Sequence, residues 1–109
     1  MANTFKLKTK ANVGVTTVGI YTAPAATTTG VIGITLANTS GSGVNVGVGI
    51  TRAGTTEDVK LLKNAPIPQG SSLEFMGGNK VVLETTDTVT VDSDTNNSID
   101  AALTIMEIT

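Results

Sequence analysis

The chain has 109 residues, a formal net charge of −2 and no cysteine or histidine. That length supports one domain with one core, and the missing residue types exclude disulfide scaffolds, thiol chemistry, histidine-based triads and soft-metal centres. A mildly acidic chain with 3% aromatic residues also lacks the basic stripe and stacking platforms of a nucleic-acid binder.

Residues 1–12 read as an extended basic arm. Phe5, Leu7 and Thr9 alternate there with Lys6, Lys8 and Lys10, which are three of the seven Lys and Arg residues. Such an arm either lies on an acidic neighbour or is an edge strand guarded against aggregation by its lysines. From residue 13 to 109 nearly every segment has period two, the mark of half-buried strands. Strands are predicted at 13–21, 30–38, 44–52, 57–63, 72–76, 80–84, 87–92 and 99–108. In the first, Val13 and Val15 share one face and Val18 and Ile20 the other, so a bulge or strand end falls near Thr16-Thr17. Residues 56–63 could place Val59, Leu62 and Lys63 on one helical face, but Val59 and Leu61 alternate with Asp58 and Lys60, which favours a strand.

Turn residues separate these segments: Ala23-Pro24-Ala25-Ala26, Ser40-Gly41-Ser42-Gly43, Ala53-Gly54, Pro66-Ile67-Pro68-Gln69-Gly70, Gly77-Gly78-Asn79 and Asp94-Thr95-Asn96-Asn97. The fold class that follows is all-β, a single antiparallel β-sandwich of about eight short strands, jelly-roll-like or Ig-like.

The segment Val44 to Thr51 puts Val44, Val46, Val48 and Ile50 on one face and Asn45, Gly47 and Gly49 on the other. A five-residue hairpin loop, Thr39 to Gly43, would set Leu36 against Val46, Ile34 against Val48 and Ile32 against Ile50. The outer face would then pair Ala37 with Asn45, Thr35 with Gly47, and Gly33 with Gly49, a nearly bare patch across two strands. Strand glycine costs about 0.5–1 kcal/mol relative to alanine, so the patch calls for a cause. Close approach of a neighbouring backbone is one; a bulge or a tolerated site is the other. The expected interface residues are Lys6, Lys8, Lys10, Gly33, Thr35, Asn45, Gly47 and Gly49.

Chemistry is harder to find. Glu57-Asp58, Glu74, Glu84, Asp87 and Glu107 are scattered among strand ends, where solvated carboxylates normally sit, and no phosphate loop is present. Asp92, Asp94 and Asn96 have the oxygen spacing of a calcium loop, but Asn97 stands where such loops need glycine and Leu103 where they need a bidentate glutamate. A hairpin turn accounts for them better. No catalytic residue, cofactor or metal ligand is expected, and no enzyme activity.

The second half has a family look. Lys63-Asn64-Ala65-Pro66-Ile67-Pro68-Gln69-Gly70-Ser71-Ser72-Leu73-Glu74 is followed by Gly78-Asn79-Lys80-Val81-Val82-Leu83-Glu84 and Asp87-Thr88-Val89. The chain ends with Asn97-Ser98-Ile99-Asp100 and Leu103-Thr104-Ile105-Met106-Glu107-Ile108. Together with Ile20-Tyr21-Thr22-Ala23-Pro24 and Leu36-Ala37-Asn38-Thr39-Ser40, this resembles small virion structural proteins of tailed bacteriophages, many from marine and cyanobacterial hosts. The resemblance covers roughly residues 13 to 109 and carries no active-site residue.

It implies a β-sandwich that works by being built into a particle, as a capsid decoration (cement) protein or as a tail, neck or fibre-adaptor component. The partners implied are the major capsid protein or other virion proteins, with a homo-oligomer, most naturally a trimer at a three-fold axis. A charged fraction of 15% is low for a free-standing surface and agrees with such packing. A carbohydrate-binding module is the alternative from another class, although Phe5, Tyr21 and Phe75 are few and separated for aromatic platforms. No signal peptide or membrane span is visible, so the expected location is the virion, after synthesis in the host cytoplasm.

Overall fold

A computed structural model of the chain describes residues 3–52, 57–75 and 81–109. Nine strands follow in order: β1 (Asn3–Val13), β2 (Val18–Thr22), β3 (Thr28–Asn38), β4 (Val44–Arg52), β5 (Glu57–Ile67), β6 (Ser72–Phe75), β7 (Val81–Leu83), β8 (Thr88–Ser93) and β9 (Ile99–Ile108). They form two antiparallel sheets packed as a sandwich. The first runs β1-β9-β3-β6, with β7 also on β3; the second runs β2-β8-β4-β5. Because β6 and β7 pair with successive stretches of β3, they occupy one strand position between them. The connectivity is then that of an eight-position jelly roll, in which the chain repeatedly crosses between sheets.

Residues 3–13 are therefore the edge strand of the first sheet, paired with β9 from Asn3↔Ile108 onward. The sandwich begins inside the segment read as an arm, which is paired along β9 as an edge strand. The phase change near Thr16-Thr17 is a strand boundary, since β1 ends at Val13 and β2 begins at Val18. The 57–63 strand extends to Ile67, with a register break around Asn64, whose φ is 54°. The expected turns at Ala53-Gly54 and Gly77-Gly78-Asn79 lie outside the described residues.

The expected hairpin between β3 and β4 is replaced by a crossing. β3 lies in the first sheet and β4 in the second, so Leu36 and Val46 belong to opposite walls of the core instead of standing side by side. Asn38 explains the turn. It is 4% exposed, its Nδ2 donates to Ser42 O at 2.8 Å and Ile67 O at 3.0 Å, and its Oδ1 accepts from Ser40 N at 2.9 Å. One buried carboxamide thus ties the loop to the end of β5 and steers the chain into the other sheet. Ser40 to Gly43 would serve a hairpin or an arch equally well, and the long-range bonds select the arch.

The core is almost wholly aliphatic. Val31, Ile34, Leu36, Leu83, Ile99, Leu103 and Ile105 from the first sheet face Val44, Val46, Val48, Ile50, Val89 and Val91 from the second, all buried. Val31 takes the inward place expected of Ile32, because a bulge between Val31 and Gly33 turns Ile32 outward. The residual gap lined by Val31, Ile34, Val48, Ile50, Leu61, Val81, Val89 and Leu103 has no room for a water. Each fully buried aliphatic side chain contributes about 1.5–3 kcal/mol, so a core built mainly of Val, Ile and Leu is held by number.

Candidate interaction surfaces

The three β1 lysines share a face, and it is the inward one. Lys6, Lys8 and Lys10 stand opposite Ile105, Leu103 and Ala101 of β9, all buried, and directly opposed residues project to the same side of a sheet. β1 is the edge strand of its sheet, so the lysines project at the border of the sandwich. Lys6 Nζ reaches Glu107 Oε1 at 2.9 Å, and Lys8 Nζ lies 6.0 Å from the centre of the Tyr21 ring, within range of a weak cation–π attraction. Lys10 is exposed and has no ion pair among the described residues. Of the three, it is the one open to an outside acidic group.

Glu107 occupies an inward position at the end of the β9 alternation and is 7% exposed. A carboxylate there needs partners, and they come from three strands. Besides Lys6 of β1, Tyr21 of β2 donates its hydroxyl to Glu107 Oε2 at 2.6 Å. Since that proton is committed, the Thr29 hydroxyl of β3 donates to Tyr21 Oη at 2.8 Å. The bond from Lys6, and next that from Tyr21, hold the Glu107 carboxyl below its ordinary value although burial works the other way. Tyr21 is pushed up to about 12, by burial first and by Glu107 second. The cluster clasps β1 and β2 across the border of the sandwich, and its role is structural.

Asn45, Gly47 and Gly49 lie on the outer face of the second sheet, while Gly33 and Thr35 lie on the outer face of the first. The two halves of the expected patch are therefore on opposite sides of the molecule. Gly47 and Gly49 are moreover covered from within the chain. A Cβ on Gly49 would stand 2.8 Å from Val59 O and 3.2 Å from Thr90 Oγ1. One on Gly47 would collide with the Asp92 carboxylate and approach Leu62 O at 3.3 Å. A neighbouring backbone does come close, and it is this chain's own β5, drawn in where its register with β4 breaks twice.

Beside them, Asn45, Gly47, Lys60, Lys63, Asn64, Asp92 and Asp94 line a recess of about 110 Å³. Its charges of both signs are partly used locally. Asp94 Oδ1 accepts from Asn45 N at 3.1 Å, and Asp92 Oδ2 accepts from the Thr17 hydroxyl at 3.4 Å. The 94–98 segment is closed by Ser93 and Ser98, whose hydroxyl oxygens lie 2.7 Å apart and 2.7 and 2.6 Å from Thr95 O, their two protons serving two of these three contacts. The Asp/Asn run is a turn, but the hairpin expected there is replaced by a crossing, since β8 lies in the second sheet and β9 in the first.

Gly33 and Thr35 belong to a broader surface. With Ile32, Glu74, Ala102 and Thr104 they line an open trough of about 280 Å³, continued past Thr9, Ala37 and Asp100 by another of about 330 Å³. Across its upper end runs the row Phe5, Met106, Gly30 and Val82, set by pairings of β1, β9, β3 and β7. Phe5 is 69% exposed, and Leu7 and Val82 are each 63% exposed. Sequence reasoning missed these apolar residues. The alternation in β1 signals them, but which phase faces inward is decided only by pairing with β9.

No family model matches the chain, and no curated protein does. Among solved structures it is similar to a chain of the Bacillus endospore appendages, described as a novel family of disulfide-linked pili, at 18% identity and a TM-score of 0.53, over 96% of this chain and 85% of that one. A chain of the virus-like particle of the giant freshwater prawn (Macrobrachium rosenbergii) extra small virus aligns at 12% identity and a TM-score of 0.33, over 98% and 80% of the two chains; that likeness carries no argument. The first bears on the fold alone.

Proposed function

We propose that this chain is a non-catalytic structural subunit of a tailed-phage virion, acting as a capsid decoration protein that binds across capsomer joints with the major capsid protein as its partner. The observation that carries the reading is the outer face of the first sheet: broad, shallow, poor in charge, and bearing exposed Phe5, Leu7 and Val82. Such a surface suits extended contact with other protein more than it suits chemistry. A core gap too small for water and the local bonds of Asp87, Asp94, Asp100 and Glu107 point the same way. Repetition around a shell multiplies each modest contact, and Lys10 is placed to meet an acidic neighbour.

Quantitative mass spectrometry of purified virions tests the proposal. Hundreds of copies per particle support decoration of the head, whereas a few to several dozen transfer the protein to the tail, neck or fibre adaptor. Absence from virions would sink both. A filament subunit is a further reading, favoured by the fold likeness to the Bacillus appendage chain. The disulfide linkage described for those pili is not open to this chain, none of whose 109 residues is cysteine. The carbohydrate-binding alternative loses a platform, because Tyr21 is 7% exposed with its hydroxyl engaged.

A further inference from the structure

We propose that the outer face of the first sheet is a self-association surface, on which two copies of this chain pack sheet to sheet about a two-fold axis running along the strands between β9 and β3. The inference deepens the structural-subunit reading by naming the partner of this face. It starts from the rows that the strand pairing defines. One row reads Phe5, Met106, Gly30, Val82 across β1, β9, β3 and β7, and the next reads Leu7, Thr104, Gly33 across β1, β9 and β3. A two-fold axis along the strands lays each row on its own reverse. Met106 of one copy then meets Gly30 of the other, Phe5 meets Val82, and Thr104 meets Gly33. Met106 and Thr104 thus fall on glycines and Phe5 on Val82, and each such contact occurs twice, as an isologous interface requires.

Charge selects the same occupant. The β1 lysines all project from the opposite face, so the described residues give this face no cation to receive an acidic partner. Its acids, Asp100 and Glu74, lie at the far end, and Asp100 Oδ1 already accepts from Asn12 N at 3.0 Å. Under the proposed axis Glu74 falls over Thr9 and Asp100 over Ala37, so no carboxylate meets another. A neutral surface with the same relief is what fits, and a second copy supplies it.

The area falls at the small end of specific interfaces. From the Asn3 row to the Ala11 row the face runs about 27 Å, and four strand positions span about 19 Å. That is ~500 Å² in projection, before side-chain relief, against ~800 Å² per partner in a standard interface. Two twisted sheets stacked about 10 Å apart would interdigitate these side chains in the aligned manner common to sandwiches.

Sedimentation equilibrium of the purified full chain decides the matter. The wild type is expected to dimerise, and both Phe5→Lys/Leu7→Lys on β1 and Val82→Lys on β7 to weaken the dimer at least about tenfold. Val15→Lys, at a site 56% exposed in the β1–β2 connection, is expected to leave it unchanged. Circular dichroism confirms that each variant is folded, and two variants on separate strands guard against one failing to fold. Because the chain has no cysteine, a Thr104→Cys variant adds an independent check: a thiol-to-thiol reagent of about 10 Å span should join it into dimers. A wild type that stays monomeric, including one that associates only with a different protein, overturns the proposal. So do a trimer, which would restore the ring expected from the sequence, dimerisation unaffected by the lysines, and a Thr104→Cys variant that does not cross-link. Virion copy number is a separate measurement, so the face and the virion reading fail independently.

Discussion

Replacing Gly49 with alanine distinguishes a glycine kept for internal packing from one kept for an external contact. In an unhindered strand the substitution removes unfolded-state freedom and gains about 0.5–1 kcal/mol. At Gly49 the added Cβ would stand 2.8 Å from Val59 O, a backbone atom of β5, and 3.2 Å from Thr90 Oγ1. Restoring ordinary contact requires β5 to retreat by roughly half an ångström, an overpacking that costs about 1–3 kcal/mol. The net expectation is a loss of about 0.5–2 kcal/mol. At ~2.1 cal/mol/K per residue the unfolding entropy makes each kcal/mol worth about 4 °C, so Tm should fall by about 2–9 °C. Gly30→Ala is the matched comparison, a strand glycine whose nearest atom would be Met106 O at 4.0 Å; it should be neutral or stabilising by up to ~1 kcal/mol. Urea unfolding followed by far-ultraviolet circular dichroism, at concentrations where the protein is monomeric, measures both. A Gly49→Ala protein as stable as the wild type would refute the account of close approach by β5.

Tyr21 is the sole tyrosine in a chain without tryptophan, so tyrosinate absorbance reports on the clasp alone. The folded protein should titrate near pH 12 and the unfolded chain near 10, the ordinary value. Because the folded pKa is raised, this contribution to stability is complete below pH 10 and fades as pH rises towards 12. Glu107 works in the opposite sense: its carboxyl is held below its ordinary 4.5, so its contribution is present above that pH and is lost on acidification, which pH-dependent urea midpoints would show. At the other corner, Asp87 is 3% exposed and accepts from Glu84 N at 3.0 Å while pairing with Arg52 Nε at 3.2 Å. Asp87→Ala should cost about 1–2 kcal/mol in thermal unfolding, whereas Glu84→Ala, at a side chain 73% exposed, should stay within about 0.5 kcal/mol.

The all-β class, the division into short strands and the inward sets of β4 and β9 were legible in the sequence, because strand alternation is a local property with period two. Val44, Val46, Val48 and Ile50 declare their face without reference to any partner, as do Ile99, Ala101, Leu103 and Ile105. Even the break near Thr16-Thr17 could be read, since a change of phase within one segment is visible from that segment alone. Sheet membership could not be read so. Ser40 to Gly43 satisfies the backbone of a hairpin or an arch, and the choice rests on Asn38 reaching Ile67, 29 residues away.

The interaction surfaces were less legible for the same reason. Whether Lys6 or Phe5 faces inward depends on register with β9, and the lysines turned out to project to the core side while the apolar residues face out. Glu107 stands in a position whose alternation marks it as inward, but its partner Tyr21 lies 86 residues distant, and nothing local announces the bond. Gly47 and Gly49 announced themselves as bare, and only the third dimension showed that Asp92, Thr90 and β5 already cover them. Periodicity along the chain determined which residues could share a face. Long-range pairing, whose closure depends on many distant groups fitting at once, decided what each face meets.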